Sequence, residues 1–269
     1  MSLHYKFLFK TLLLLVINPD FRAVQNHCNM KKLTALTYLC ILLFPFSSCF
    51  SFGEKISGNG VVETETRKLG KITKIKVAGS VDVEVSPGEP SVKVEADGNL
   101  IPYIITDVED GVLKVRMKDR INLNTSNNIK VYVTTPLLTG VAVAGSGDVV
   151  ANGEFDNGDK MSFKIAGSGN ITMNVFTPRV DADIAASGNL KLAGETKDLD
   201  VTIAGSGNFE GTDLKAENAK VKIAGSGDVF LFADVKLNAK IVGSGNVRYK
   251  GNATVERKIM GSGSISRIP

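Results

Sequence analysis

The chain has 269 residues, 43% of them apolar, with 27 glycines and no tryptophan, a composition that suits one elongated domain or two small ones and excludes wholesale disorder. Both histidines (His4, His27) and all three cysteines (Cys28, Cys40, Cys49) fall in the first 49 residues, so the remainder can build neither a His/Cys zinc site, nor a histidine-based triad, nor an internal disulfide. Of the 32 basic and 28 acidic residues, five and one lie in that stretch, leaving 27 of each beyond it, and a neutral body with interspersed charges argues against a nucleic-acid partner.

Residues 1–29 contain one apolar run, Thr11 to Ile17, followed by polar residues. A second leader then begins: Met30-Lys31-Lys32 reads as a charged n-region, and Leu33 through Phe46 as an apolar h-region shorter than the roughly 17–25 residues of a membrane-spanning helix. No signal peptide needs two such runs in tandem. Residues 1–29 are therefore expected to be a mis-assigned upstream extension and residues 30–49 a lipoprotein signal peptide, with an uncleaved N-terminal anchor as the alternative. Phe46-Ser47-Ser48-Cys49 resembles the lipobox of bacterial lipoproteins, with Phe46 where leucine is usual. That resemblance implies lipid attachment at Cys49 and export through the inner membrane. The protein would then be an outer-membrane lipoprotein, at the cell surface or on the periplasmic face, touching the membrane through its anchor.

Residues 50–140 are strand-like but irregular. Ile75-Lys76-Val77, Val81-Asp82-Val83-Glu84-Val85, Val92-Lys93-Val94, Val112-Leu113-Lys114-Val115 and Ile129-Lys130-Val131-Tyr132-Val133 alternate apolar and polar residues, and Pro87-Gly88, Asp97-Gly98 and Asp110-Gly111 mark turns. Ala78-Gly79-Ser80 reads as a degenerate copy of the Gly-Ser-Gly corner that recurs beyond residue 140. This half is expected to form the N-terminal β cap and first coils of one stack, a separate small β-sandwich being the alternative.

Residues 141–269 carry a repeat. The motif (Ala/Val/Met)-(Gly/Ala)-Ser-Gly-(Asn/Asp/Ser) places its serine at Ser146, Ser168, Ser187, Ser206, Ser226, Ser244 and Ser262, at spacings of 22, 19, 19, 20, 18 and 18 residues. Three positions before each serine stand Val143, Ile165, Ile184, Ile203, Ile223, Ile241 and Ile259; three after come Val149, Ile171, Leu190, Phe209, Val229, Val247 and Ile265. Four before, from the second copy on, are Lys164, Asp183, Thr202, Lys222, Lys240 and Lys258. Polar and apolar residues thus alternate with the period of two that marks a strand with one buried face. Each copy reads as strand, glycine corner, strand. Stacked at about 4.8 Å, the copies would set isoleucine on isoleucine and the corner Asn/Asp residues in a ladder. The fold class expected is all-β, a single-stack parallel β-helix (β-solenoid) of about 18–22 residues per coil with a less regular N-terminal half.

Taken together, Ile75 to Val83, Asp110 to Val115 and the serial Ala-Gly-Ser-Gly-Asn/Asp motifs resemble the head GIN domain family of putative auto-transporter adhesins, common as lipoproteins of Bacteroidetes. The resemblance covers about residues 56–265. It implies a β-helical protein of the cell surface and supplies no catalytic or binding residues.

Chemistry is sparse. The corner acids Asp148 and Asp228 lie four coils apart, about 19 Å at 4.8 Å per coil, too far for the carboxyl pair of a glycosidase. Asp181, Asp183 and Asp200 could in principle form a calcium site of a lyase; a solvated outer strand is the plainer reading. Neither a cofactor nor a metal is expected. Lys222, Lys240 and Lys258 share one outward column, with Lys220 and Arg257 beside them. Stacked like charges repel, so the column suggests a patch for anionic glycan or lipid headgroups, unless Glu256 and Asp228 neutralise it. The function expected is a non-catalytic envelope adhesin binding glycan or a cell-surface protein. The alternatives are a periplasm-facing structural protein and a degenerate polysaccharide-active β-helix. Oligomeric state is left open.

Overall fold

The computed structural model describes residues 54–125 and 127–269, so the expected leader segments and the Cys49 anchor lie outside the described residues. In chain order the strands of the irregular half are β1 (Glu54–Ser57), β2 (Val62–Arg67), β3 (Lys74–Gly79), β4 (Asp82–Ser86), β5 (Ser91–Asp97), β6 (Ile104–Glu109), β7 (Val112–Met117), β8 (Ile121–Asn124) and β9 (Lys130–Thr134). The repeat continues with β10 (Gly140–Gly145), β11 (Val149–Asp156), β12 (Lys160–Gly167), β13 (Ile171–Ala186), β14 (Asn189–Gly205), β15 (Asn208–Gly225), β16 (Val229–Gly243), β17 (Asn246–Lys250), β18 (Thr254–Gly261) and β19 (Ser264–Arg267).

The repeat winds as a parallel β-solenoid. Residues preceding each Gly-Ser-Gly corner build one face, in which β3, β10, β12, the second halves of β13 to β16, and β18 lie side by side in parallel. Residues after the corner build the other face, from β4 and β11 through the first halves of β13 to β16, to β17 and β19. The register realises both apolar columns: Val143, Ile165, Ile184, Ile203, Ile223, Ile241 and Ile259 pair successively, as do Val149, Ile171, Leu190, Phe209, Val229, Val247 and Ile265. All of these up to Ile241 and Val247 are buried between the two faces, whereas Ile259 in the last coil is 37% exposed.

Two different physical demands put glycine at the corner. Gly205, like its equivalents, has a positive φ (128°), which an L side chain rarely adopts. Gly207 is not at positive φ. There a Cβ would run into the carbonyl oxygen of Gly188 and the Cγ2 of Ile184 in the coil below, so the residue must be small for coils to approach to strand spacing. Its close approach is fixed by paired hydrogen bonds: the N–H groups of Ser206 and Gly207 both donate to the Ala186 carbonyl (2.8 and 2.9 Å). Ala186 is the exception in the first glycine column, a non-glycine held at φ 88°.

Beside the corner the expected ladder forms. Asp148 Oδ1 accepts from the backbone N–H and the amide of Asn170 (2.9 and 2.8 Å), Asn170 Oδ1 from the Asn189 amide (2.9 Å), and Asn189 Oδ1 from the Asn208 amide (2.9 Å). The Asp228 N–H donates to Asn208 Oδ1 (3.0 Å), the Asn246 amide to Asp228 (2.9 Å), and the Ser264 hydroxyl to Asn246 (2.8 Å).

The irregular half shares this core, but its order in space is not its order in the chain. β3 lies between β7 and β10, and β4 between β9 and β11, so the coil built from residues 112–134 stacks outside the coil built from residues 74–86. Antiparallel strands finish that end. β6 returns on β7 through Asp110-Gly111, both at positive φ (50° and 75°), a two-residue hairpin turn; β5 pairs antiparallel with β9, and β2 with β5. Arg67 of β2 bridges the two faces there, donating to the carbonyl oxygens of Ile104 (2.6 Å) and Ile101 (3.2 Å) and to Thr106 Oγ1 (2.9 Å). β1 and β8 form a separate parallel pair. The loop after β8 is pinned by the buried Asp97, which accepts from the Thr125 hydroxyl (2.7 Å) and the Asn127 amide (2.6 Å).

Candidate functional site

Charges on the outer surface of the middle coils alternate from coil to coil. Lys160 pairs with Asp181, Lys164 with Asp183 (3.6 Å), Arg179 with Asp198 (3.7 Å), Lys215 with Glu195 (3.8 Å) and Lys220 with Asp200 (3.4 Å). Each pair is largely exposed and contributes little stability by itself, about 0–1 kcal/mol. Their importance here is that they occupy the carboxylates. Asp181, Asp183 and Asp200, weighed above as calcium ligands, each face a lysine, and among the described residues no group of three His, Cys, Asp or Glu side chains is arranged to hold a metal ion. Asp148 and Asp228 are acceptors in the corner ladder.

The alternation stops at Lys222. Lys222, Lys240 and Lys258 are direct neighbours in register on adjacent strands, all three are exposed, and none has a carboxylate within salt-bridge distance among the described residues. The acids that the sequence offered as neutralisers are engaged elsewhere. Glu256 binds Lys236 (2.9 Å) and accepts from the Asn238 amide (2.9 Å); Asp228 serves the ladder and faces Arg248 at 3.9 Å. Lys236, chiefly through its hydrogen bond and charge, holds the Glu256 carboxyl below the ordinary glutamate value. Lys220, expected beside the column, is paired with Asp200.

Arg257 adjoins Lys258 and pairs in register with Ala239, in the column that Phe163, Ala182, Val201 and Val221 fill in the earlier coils. It stands five before Ser262, the same phase as those apolar residues. On this outermost coil Arg257 is exposed and gives an otherwise apolar column a polar end, which discourages edge-to-edge association.

A second feature lies at the corner opposite the glycines, where an open groove runs across several coils past Phe176, Pro178, Lys197, Glu217 and Phe232. Phe176, Glu195, Lys215 and Phe232 succeed one another in register. Carboxylates outnumber lysines along it, so its electrostatics oppose those of the lysine column. The Thr177 hydroxyl beneath the groove is buried without a hydrogen-bond partner.

Residues 71–253 match the family model described as putative auto-transporter adhesin, head GIN domain. A crystal structure of a putative adhesin from Bacteroides fragilis superposes with a TM-score of 0.75 at 22% identity, covering 79% of this chain and all of the other, a likeness that shows the fold alone. A putative lipid binding protein from Parabacteroides distasonis is 29% identical (TM-score 0.67, 80% and 100% covered). A putative adhesin from Parabacteroides merdae is 25% identical (TM-score 0.66, 81% and 100% covered). No curated protein matches.

Proposed function

Because the chain belongs to the putative auto-transporter adhesin, head GIN domain family, we propose that it is a non-catalytic adhesin of the cell envelope. It is anchored by lipid at Cys49 and presents its solenoid for binding glycan or another surface component. The observation that carries this reading is the outer face itself. Asp181, Asp183 and Asp200 on it are paired with lysines and Asp148 and Asp228 are built into the ladder, while Lys222, Lys240 and Lys258 stand in register without an acidic partner among the described residues. An extended surface with uncompensated charge suits recognition of an anionic chain or headgroup.

Protease shaving of intact cells carrying a C-terminal tag, with a periplasmic protein as internal control, tests the topology. Loss of the tag while the control survives is the expected result. Protection of the tag until lysis removes adhesion and leaves the periplasm-facing structural reading.

A further inference from the structure

Charges are segregated along the solenoid rather than interspersed. Residues 54–235 hold 20 basic and 26 acidic side chains, a net of −6, whereas residues 236–269 hold seven basic and one acidic, a net of +6. The single acid is Glu256, already engaged by Lys236. Lys240, Lys250, Arg257 and Lys258 have no carboxylate partner among the described residues, and Lys222 lies directly beneath Lys240. Arg267 donates to Asn252 Oδ1 (2.9 Å), and Arg248 sits over the Phe230 ring, 5.1 Å from its centroid. These cations come from both faces, with Lys240 and Lys258 before the corner and Arg248 and Lys250 after it.

We propose that this basic end, from Lys222 to Arg267, is a binding site for a linear anionic polysaccharide bearing carboxylates or sulfates. The inference rests on the adhesin reading and gives it a location and a ligand class. The lysine column spans two strand spacings, about 10 Å, with every ammonium group in solvent, a geometry for several charges of a chain rather than one small anion. Nothing encloses a single ion there, since the column carries no buried donor. A nucleic-acid duplex is disfavoured because this flat surface has no element projecting to enter a groove. Single strands call for stacking aromatics, but of those between Lys222 and Arg267, Phe232 lines the carboxylate-rich groove, Phe230 lies under Arg248 and Tyr249 is half-buried.

The test measures retention of the purified protein on immobilised polygalacturonate, dextran sulfate and uncharged dextran, and on phosphatidylglycerol vesicles, at low and high salt. Lys222→Ser, Lys240→Ser and Lys258→Ser are combined in one variant. Lys164→Ser, Lys215→Ser and Lys220→Ser, removing equal charge from paired positions, form the control. The expected result is salt-sensitive retention on both charged polysaccharides and none on dextran. The column variant should lose about a hundredfold in affinity, at about fivefold per charge facing an anionic surface, with only a small loss in the control. Equal losses in the two variants, retention on vesicles alone, or no retention of the wild type would each overturn the proposal. Cells that adhere equally with the wild type and the column variant would leave adhesion standing and remove this site; binding by the purified protein without any cell adhesion would do the reverse.

Discussion

Exchanging residues within the first corner-glycine column should produce opposite effects at two adjacent coils. Ala186 occupies it at φ 88°, and Gly205 stacks on it at φ 128°. A left-handed conformation costs an L residue about 1–2 kcal/mol, and glycine gives back about 0.5–1 kcal/mol through the greater freedom of its unfolded chain. Ala186→Gly should therefore stabilise the protein by about 0.5–1 kcal/mol. Gly205→Ala brings the same strain and adds a Cβ that would press on the carbonyl oxygen and Cα of Ala186, both backbone atoms that no rotamer change can move aside. Overpacking of that kind adds about 1–3 kcal/mol to the net strain of about 0.5–1 kcal/mol, for a total of about 1.5–4 kcal/mol. Urea denaturation followed by far-UV circular dichroism reads both variants, and in a chain of this size 1 kcal/mol corresponds to about 2–4 °C in Tm. A destabilising Ala186→Gly, or a neutral Gly205→Ala, would refute the claim that backbone conformation and coil-to-coil approach select glycine here.

Within the isoleucine column the same substitution should be graded by burial. Ile203→Ala, at a site with no exposure, should cost about 2–5 kcal/mol in equilibrium unfolding, and Ile259→Ala, 37% exposed, clearly less. Asn189→Ala breaks the ladder at a rung that both donates to Asn170 and accepts from Asn208, and should cost about 1–3 kcal/mol. Asp228→Asn, by offering Asn208 Oδ1 a second donor, should be neutral or mildly stabilising in the same measurement. Because the Glu256 carboxyl titrates below its ordinary 4.5, its bond to Lys236 is fully present above that pH and is lost as the pH falls through the lower folded value. Lys236→Ser should move the NMR-detected titration of Glu256 back toward 4.5.

The lysine column was only partly legible in the sequence. Its alignment followed from the fixed phase of residues 222, 240 and 258 relative to the corner serines. Whether it was neutralised did not, because Glu256 and Asp228 were near enough in sequence to serve and only the register directed Glu256 to Lys236 and Asp228 to the ladder. The even balance of charge beyond residue 49 likewise concealed its segregation, since a total carries no position.

What the sequence determined by itself was local and periodic. Alternation set which side chains of each copy face inward, the invariant offset from the serine set the isoleucine and Asn/Asp columns, and the paired glycines set the corner. The tertiary structure decided the contacts between distant segments. That residues 112–134 stack outside residues 74–86 could not be read from strands whose alternating patterns are interchangeable, because a parallel ladder of backbone hydrogen bonds accepts any neighbour that presents an apolar inner face. Position on the stack, rather than residue type, then determined that Ile241 is sealed in the core while Ile259, with the same pattern around it, remains partly open to solvent.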